Sequence, residues 1–289
     1  MTTTKKTFLS TALLAALGTA VLAPLSAQAA ATLDTTAATP NDGILQNFTG
    51  FDWHSNGGGW IQGFDLTGAN TIGDSDTFTF TYQAFAGGIQ TTSPTPNLYV
   101  ASPGAALGSY EYTTYSVINE TATCNNVGCS SITILTTSGT WDVYFDTSPD
   151  ANQATGTGFR DGVVGGPIIS GTWDTGLSTF IATGPIGPGS IGTGGGFLVG
   201  TVTSTDNTYV NPDLIGTTLQ ASLQFPGQSS PTYTRPAAFN GVATGSDTST
   251  NFVLQTDTSQ NFSVVPEPAS LALLGIGLLG MGTLRRRRA

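Results

Sequence analysis

Thr77-Phe78-Thr79-Phe80-Thr81-Tyr82 alternates threonine with an aromatic residue at every position. Strict alternation is the period of a β-strand, whose successive side chains point to opposite faces. The stretch therefore predicts a strand that buries Phe78, Phe80 and Tyr82 and turns its threonines towards the other face.

The same alternation recurs along the chain. Trp141-Asp142-Val143-Tyr144-Phe145-Asp146 places Trp141, Val143 and Phe145 on one face and two aspartates on the other. Further strand signals are Tyr110 with Tyr112, Ile132 with Ile134, the run 197–202, the alternate residues Leu219, Ala221, Leu223 and Phe225, and Phe252 with Leu254. Clusters of Gly, Pro, Asn and Asp between these runs supply turns.

Composition supports an all-β body. The segment between the two termini is rich in Thr, Ser, Gly and Asn and nearly free of Lys, Arg, Glu and Met, so good helix formers are scarce. We predict that residues 30–264 form one antiparallel β-sandwich or jelly roll. The glycine-rich stretch 184–196 is expected to be a long loop rather than a hinge between domains, and 31–41 a mobile lead-in.

The N-terminus has the features of a secretory signal peptide. Lys5 and Lys6 precede an apolar stretch from Phe8 to Leu22, and Ala27-Gln28-Ala29-Ala30 supplies small residues at a cleavage site. Residues 1–29 are therefore predicted to be removed by signal peptidase, with the cut between Ala29 and Ala30.

The C-terminus has three parts. Pro266-Glu267-Pro268 precedes an apolar run from Ala269 to Leu284, which is at the short end of what spans a bilayer as a single helix. Arg285, Arg286, Arg287 and Arg288 follow and mark the cytoplasmic side. Residues 265–289 are therefore predicted to be a sorting tail with one transmembrane helix.

These three parts, in this order, resemble the PEP-CTERM sorting signal of Gram-negative bacteria. The resemblance implies recognition by an exosortase, a membrane transpeptidase-like enzyme, and processing near Pro266, Glu267 and Pro268. It implies a precursor tethered transiently to the inner membrane and a mature protein at the outer surface or in the extracellular matrix of a bacterium that makes exopolysaccharide. The alternative is an ordinary C-terminal membrane anchor that stays uncut.

The body is strongly acidic. Six of the eight Lys and Arg residues lie in the termini, whereas seventeen of the eighteen carboxylates lie in the body, which therefore carries a net charge of −15. Such a surface repels phosphate backbones and argues against nucleic acid as a partner. It also attracts divalent cations.

Cys124 and Cys129 lie in Cys-Asn-Asn-Val-Gly-Cys. In an exported protein an even cysteine count favours a disulfide, here at the tip of a hairpin, with Asn125, Asn126 and Gly128 tolerating left-handed backbone. A redox or zinc site is a poor alternative, because the spacing is not C-x-x-C and two thiolates do not complete a zinc shell.

Catalytic constellations are missing from the sequence. His54 is the sole histidine, and no Gly-x-Ser-x-Gly elbow accompanies it. Glu111 and Glu120 are the only glutamates of the body, and we expect both to be exposed, so they do not suggest the facing carboxylates of a glycosidase. We predict that the protein is not an enzyme.

Calcium is the one cofactor that the sequence suggests. Asp146, Asp150, Asn152 and Asp161 could offer oxygen ligands from a glycine-containing loop, although the loop is not an EF-hand. The alternative is a solvated turn in which Arg160 pairs with a neighbouring carboxylate, and no cofactor at all.

Short motifs in the body are similar to those of PEP-CTERM matrix proteins linked to flocculation: Phe51-Asp52-Trp53, 73–78, 81–84 and 156–162. The resemblance implies a non-catalytic structural role in an exopolysaccharide biofilm or floc. The alternative is a carbohydrate-binding, lectin-like module, which would need an aromatic rim formed by Trp53, Trp60 or Trp173.

Overall fold

The computed structural model describes residues 31–34, 44–66, 70–91, 110–162, 165–184, 186–187, 190, 192–225 and 233–263. The predicted signal peptide, the processing residues and the sorting tail with its arginines and its helix lie outside these residues. The segment Ala30–Val264 forms one compact unit. It contains every described strand and the disulfide, and it is the part expected to remain after the predicted signal peptide and sorting tail are removed. No helix long and apolar enough to cross a membrane occurs among the described residues.

The described part of the body is built from antiparallel strands. They are β1 (Ala31–Asp34), β2 (Ile44–Trp53), β3 (Gly58–Gln62), β4 (Ser75–Thr91), β5 (Glu111–Cys124), β6 (Ser131–Asp146), β7 (Ile169–Ala182), β8 (Gly192–Thr205), β9 (Val210–Asn211), β10 (Thr218–Phe225), β11 (Ala238–Phe239), β12 (Val242–Ala243), β13 (Asn251–Gln255) and β14 (Asp257–Ser263). The predicted all-β class is confirmed.

Eight of these strands close into a barrel. Their order is β2-β4-β5-β6-β7-β8-β10-β14, and β14 pairs with β2 to complete the ring. Closure depends on β4, which is long enough to pair with β3 along its first half and with β2 along its second half. The expected sandwich or jelly roll is not confirmed, because one continuous sheet encloses the core. Alternation is the same in a sandwich and in a barrel, so the sequence did not distinguish them.

Aromatic side chains fill the interior, as the alternation predicted. Trp141, Val143 and Phe145 are buried, and so are Leu219, Ala221, Leu223 and Phe225. Ring contacts run through the core, for example Phe51 with Trp53 at 5.0 Å between centroids and Trp141 with Trp173 at 5.9 Å. The buried indole of Trp173 donates to Ser116 Oγ at 2.7 Å, which satisfies its polar atom.

Two expectations about loops were wrong in part. The first residues of the expected lead-in form β1, which pairs with β2 and buries Ala31 and Leu33. Residues 192–196 of the expected glycine-rich loop begin β8 and pair with β7. A Cβ at Gly196 would meet the Ser178 side chain and the Leu177 carbonyl oxygen, so glycine is required there by close approach and not by a turn.

The hairpin between β5 and β6 carries the disulfide Cys124–Cys129, with the two Cα atoms 4.9 Å apart. Both cysteines are buried. Gly128 adopts left-handed backbone as expected, with φ of 80°, and Cys129 is the second such residue, with φ of 48°. The two asparagines stabilise the loop through their side chains instead, since Asn126 Oδ1 accepts from the Ser131 N–H at 3.0 Å.

Candidate functional site

Both body glutamates are buried, which corrects the expectation that they are exposed. Only 8% of Glu111 and 2% of Glu120 is accessible to solvent. Burial removes water from the charged form, so it raises the pKa of Glu111 to about 7 and that of Glu120 to about 8. The two glutamates are buried in different places, Glu120 inside the barrel and Glu111 on its outer face.

Glu120 faces the interior of the barrel. Thr136 Oγ1 donates to its Oε1 at 3.2 Å. The carboxyl group also lines a cavity of about 30 Å³ whose walls are mostly Phe and Ile side chains. This volume has room for about two water molecules and not for an organic ligand. Glu120 is therefore an interior polar group beside a small, mostly apolar cavity.

Glu111 anchors the loop 146–162 onto the outer face of β5. Its Oε1 accepts hydrogen bonds from the N–H groups of Asp150 at 2.8 Å and Ala151 at 2.9 Å. Thr113, two residues further along β5, donates to the Phe159 carbonyl oxygen at 3.1 Å. The loop thus covers this part of the barrel wall, and its own Phe159 side chain is fully buried.

An acidic cluster results from this packing. Carboxylate oxygens of Glu111, Asp146 and Asp150 lie within 4.8 Å of one another. The pKa of Asp150 is raised, first by burial and then by the negative charges of Asp161 and Asp146. Oxygen ligands of this kind suit calcium, which accepts flexible shells.

The four calcium candidates are only partly brought together. Asp146 and Asp150 belong to the cluster, and Asp161 acts on Asp150 through its charge. Asn152 Oδ1 accepts from the N–H groups of Ala154 and Thr155 within its own turn, so this oxygen is already engaged there. The cluster member that the sequence did not predict is Glu111. It lies on β5, 35 residues before Asp146, and no local sequence pattern placed it beside that aspartate.

Within the part of the chain that the structure describes, Arg160 does not form the carboxylate ion pair that the solvated-turn alternative assumed. Its Nε donates to the Tyr144 hydroxyl at 3.1 Å, and its guanidinium carbon lies 4.8 Å from the centroid of the Tyr115 ring. Tyr144 in turn donates to Asp142 Oδ2 at 3.3 Å. The two tyrosines therefore fix the position of the guanidinium group. Among the described residues, neither Nη nitrogen of Arg160 has a hydrogen-bond partner.

An open polar hollow of about 330 Å³ adjoins this arginine. Its lining is Tyr144, Arg160, Asp161, Gly165, Gly166, Pro167 and Asn240. This volume is at the lower end of the range for small-molecule sites. Guanidinium, carboxylate and amide groups on one rim offer both donors and acceptors, which is the chemistry that hydroxyl-rich ligands need.

The aromatic rim expected of a lectin-like module is not formed by the tryptophans. Trp53 and Trp173 are buried in the core, and Trp60 is half-buried with its ring 5.7 Å from that of Phe239. His54 is also half-buried: its Nδ1 accepts from the Asn56 N–H at 3.1 Å, and its ring packs 4.8 Å from that of Phe85. Burial lowers the pKa of His54, against the opposing effect of Asp52.

The comparison with known proteins identifies the C-terminal tail. A family model described as the PEP-CTERM protein-sorting motif matches residues 264–288. No curated protein and no solved structure matches the chain. The matched segment contains the Pro-Glu-Pro motif, the apolar run and the arginine block in the order from which the resemblance was inferred. The chain therefore carries a PEP-CTERM sorting motif at its C-terminus, which supports export and sorting by an exosortase.

Proposed function

We propose that the body is a non-catalytic structural protein of the cell surface or extracellular matrix, contributing to an exopolysaccharide biofilm or floc. The sorting motif at residues 264–288 is the observation that carries the proposal. The polar groups that could suggest catalysis support it, because each has a structural partner. Glu120 accepts from a threonine of the next strand, Glu111 holds a loop, and His54 accepts from a turn.

The structural role is tested by deleting the gene and measuring aggregation and biofilm cohesion. We expect the deletion strain to make exopolysaccharide in normal amounts and to form a less cohesive matrix. A strain that re-expresses the chain without residues 265–289 is the control for sorting. Unchanged cohesion after deletion would contradict the structural role.

Carbohydrate binding is the second candidate function, and the hollow beside Arg160 is the observation that favours it. Two tyrosines fix this guanidinium group, and its Nη groups bond to no other described residue. It can therefore donate to sugar hydroxyl or carboxylate oxygens at little entropic cost. Asp161 and Asn240 on the same rim can accept and donate further hydrogen bonds.

The binding candidate is tested by retention of the purified body on the cell's own polysaccharide. Saturable retention that falls at least about tenfold in Arg160→Gln, through loss of a charged donor, would support it. Asp65→Asn, which changes an exposed residue outside the hollow, is the matched control. Weak retention that does not saturate, and that Arg160→Gln leaves unchanged, would contradict carbohydrate binding at this site.

A further inference from the structure

Three large apolar side chains lie next to each other on the outside of the barrel. Leu135 on β6 is directly opposite Leu177 on β7, and Leu177 is directly opposite Phe197 on β8. Residues paired in this way share a face, so the three side chains form one continuous row. They are 48%, 46% and 53% exposed, which leaves about half of each side chain in water.

On β6, β7, β8 and β10, the rows of outward residues beside them carry no charge. We define the outer wall as four rows of outward residues on β6, β7, β8 and β10: Ser131, Ile181 and Thr193; Thr133, Thr179, Gly195 and Gln224; Leu135, Leu177, Phe197 and Ser222; Thr175, Val199 and Gln220. None of these residues is Asp, Glu, Lys or Arg. Two aspartates border the wall. Asp257 on β14 lies opposite Gln224 at the end of the second row, and Asp174 lies just beyond the last row, where Thr172 and Thr201 donate to its carboxylate.

An uncharged wall is informative in a body whose net charge is −15. Two copies of such a body repel each other over most of their surfaces, and the repulsion is smallest where the facing groups are neutral. An apolar centre with a rim of hydroxyl and amide groups is also the arrangement found in protein–protein interfaces. Charge and polarity therefore point to the same occupant, a second copy of this chain.

We propose that the outer wall is a self-association face through which two copies stack their sheets. The contact is isologous, with the row Leu135, Leu177 and Phe197 of one copy against the same row of the other. Facing sheets pack about 10 Å apart, and the small threonine, serine and glycine side chains around the row permit that approach. This surface is separate from the hollow beside Arg160 and does not depend on carbohydrate binding.

The size of the wall makes the contact weak. Four strands about 4.8 Å apart and four rows about 6.8 Å apart cover roughly 500 Å². Stable interfaces bury about 800 Å² on each partner. We therefore expect a monomer–dimer equilibrium with a dissociation constant on the order of 0.1–1 mM, which the high local concentration of a matrix would favour.

Sedimentation equilibrium of the purified body, residues 30–264, tests the proposal. We expect the average mass to rise above that of the monomer as protein concentration approaches about 1 mM. Association should strengthen when sodium chloride is raised from about 0.1 M to about 1 M, because the Debye length falls from about 10 Å to about 3 Å and screens the mutual repulsion. An interface held by ion pairs would weaken instead.

Matched variants locate the face. Phe197→Ser and Leu177→Thr should each weaken association at least about tenfold, since each removes two side chains from a symmetric contact. Both introduce residues already found on the same wall, so the fold is retained, and circular dichroism checks this. Ile215→Thr is the control, because Ile215 is 55% exposed but lies outside the wall.

Two results would overturn the proposal: a body that stays monomeric at about 1 mM protein in high salt, or equal weakening by Phe197→Ser and Ile215→Thr. Retention on polysaccharide that Phe197→Ser abolishes in a monomeric body would assign the wall to glycan instead. These outcomes are independent of the proposed function, because a deletion strain with normal cohesion would refute the structural role without changing the sedimentation result.

Discussion

Replacing Glu120 by glutamine should stabilise the body at alkaline pH and leave its stability at acid pH nearly unchanged. Glutamine keeps an Oε1 atom that can accept from Thr136, as Glu120 Oε1 does at 3.2 Å. It also keeps the size of the side chain, so the surrounding Phe and Ile residues need not move. The substitution therefore removes one property, the ability to become charged inside the barrel.

The magnitude follows from the pKa of Glu120, which burial raises from 4.5 to about 8. Between these values the folded protein keeps a proton that the unfolded chain has released, so the free energy of unfolding falls as pH rises. This contribution is complete below about pH 4.5 and is lost through about pH 8. At about 1.4 kcal/mol for each pH unit, the loss reaches roughly 5 kcal/mol as a ceiling.

Urea denaturation of the wild type and Glu120→Gln at intervals from pH 5 to pH 9 measures the difference. We expect the two free energies of unfolding to agree at the acid end and to diverge by several kcal/mol at the alkaline end, with the variant more stable. Glu111 titrates in both proteins, so its effect cancels in the difference. Asp65→Asn removes one negative charge from an exposed side chain and controls for general repulsion.

A constant difference between wild type and Glu120→Gln across the whole pH range would refute this reasoning. It would mean that Glu120 is solvated or paired in the folded protein. A variant that is less stable than the wild type even at pH 9 would show that the carboxylate makes a favourable interaction that glutamine cannot replace.

Three further predictions concern the disulfide, a glycine and calcium. Replacing Cys124 and Cys129 together by serine should lower the free energy of unfolding, measured in urea, by about 2 kcal/mol. This is the entropic contribution expected from closing so short a loop in the unfolded chain. Gly171→Ala should destabilise the body by at least about 1–3 kcal/mol, because its Cβ would meet the Trp141 indole and the Thr201 carbonyl oxygen. Gly184→Ala, whose Cβ meets nothing within 4 Å, is the control, and equal losses would contradict the packing argument. Calcium at about tenfold above its dissociation constant should stabilise the wild type by about 1.4 kcal/mol in thermal melts. The gain should disappear with chelator and in Glu111→Gln, and equal melting temperatures in calcium, magnesium and chelator would refute the site.

The strands could be predicted from the sequence, and their arrangement could not. Alternation identified which side chains of Thr77–Tyr82 and Trp141–Asp146 point inwards, because that information is local. Closure into a barrel depends on β4 pairing with β2, whose residues lie about forty positions earlier in the sequence. No local pattern encodes such a pairing, so the choice between sandwich and barrel remained open.

The two glutamates show a further difference between local and long-range information. Glu120 alternates with Ile118, Ala122 and Cys124, so its inward orientation was present in the sequence, although the charge of glutamate suggested exposure. Glu111 has the opposite orientation to the buried Tyr112 and is buried only because the loop 146–162 folds over it. The alternation around Glu120 indicates its inward orientation, whereas no local pattern indicates the burial of Glu111.

The closed barrel limits how this protein can contact its surroundings. A ring of eight paired strands offers no free edge over most of its circumference, so strand addition is not available to those strands. Those eight strands then contact other molecules through their outward faces or loops, and the described residues provide one feature of each kind: the uncharged outer wall and the polar hollow beside Arg160. If the wall self-associates and the hollow holds sugar, as proposed above, each dimer carries two hollows and can cross-link polysaccharide. Weak individual contacts are sufficient for that task, because cohesion depends on their number rather than on the affinity of any one.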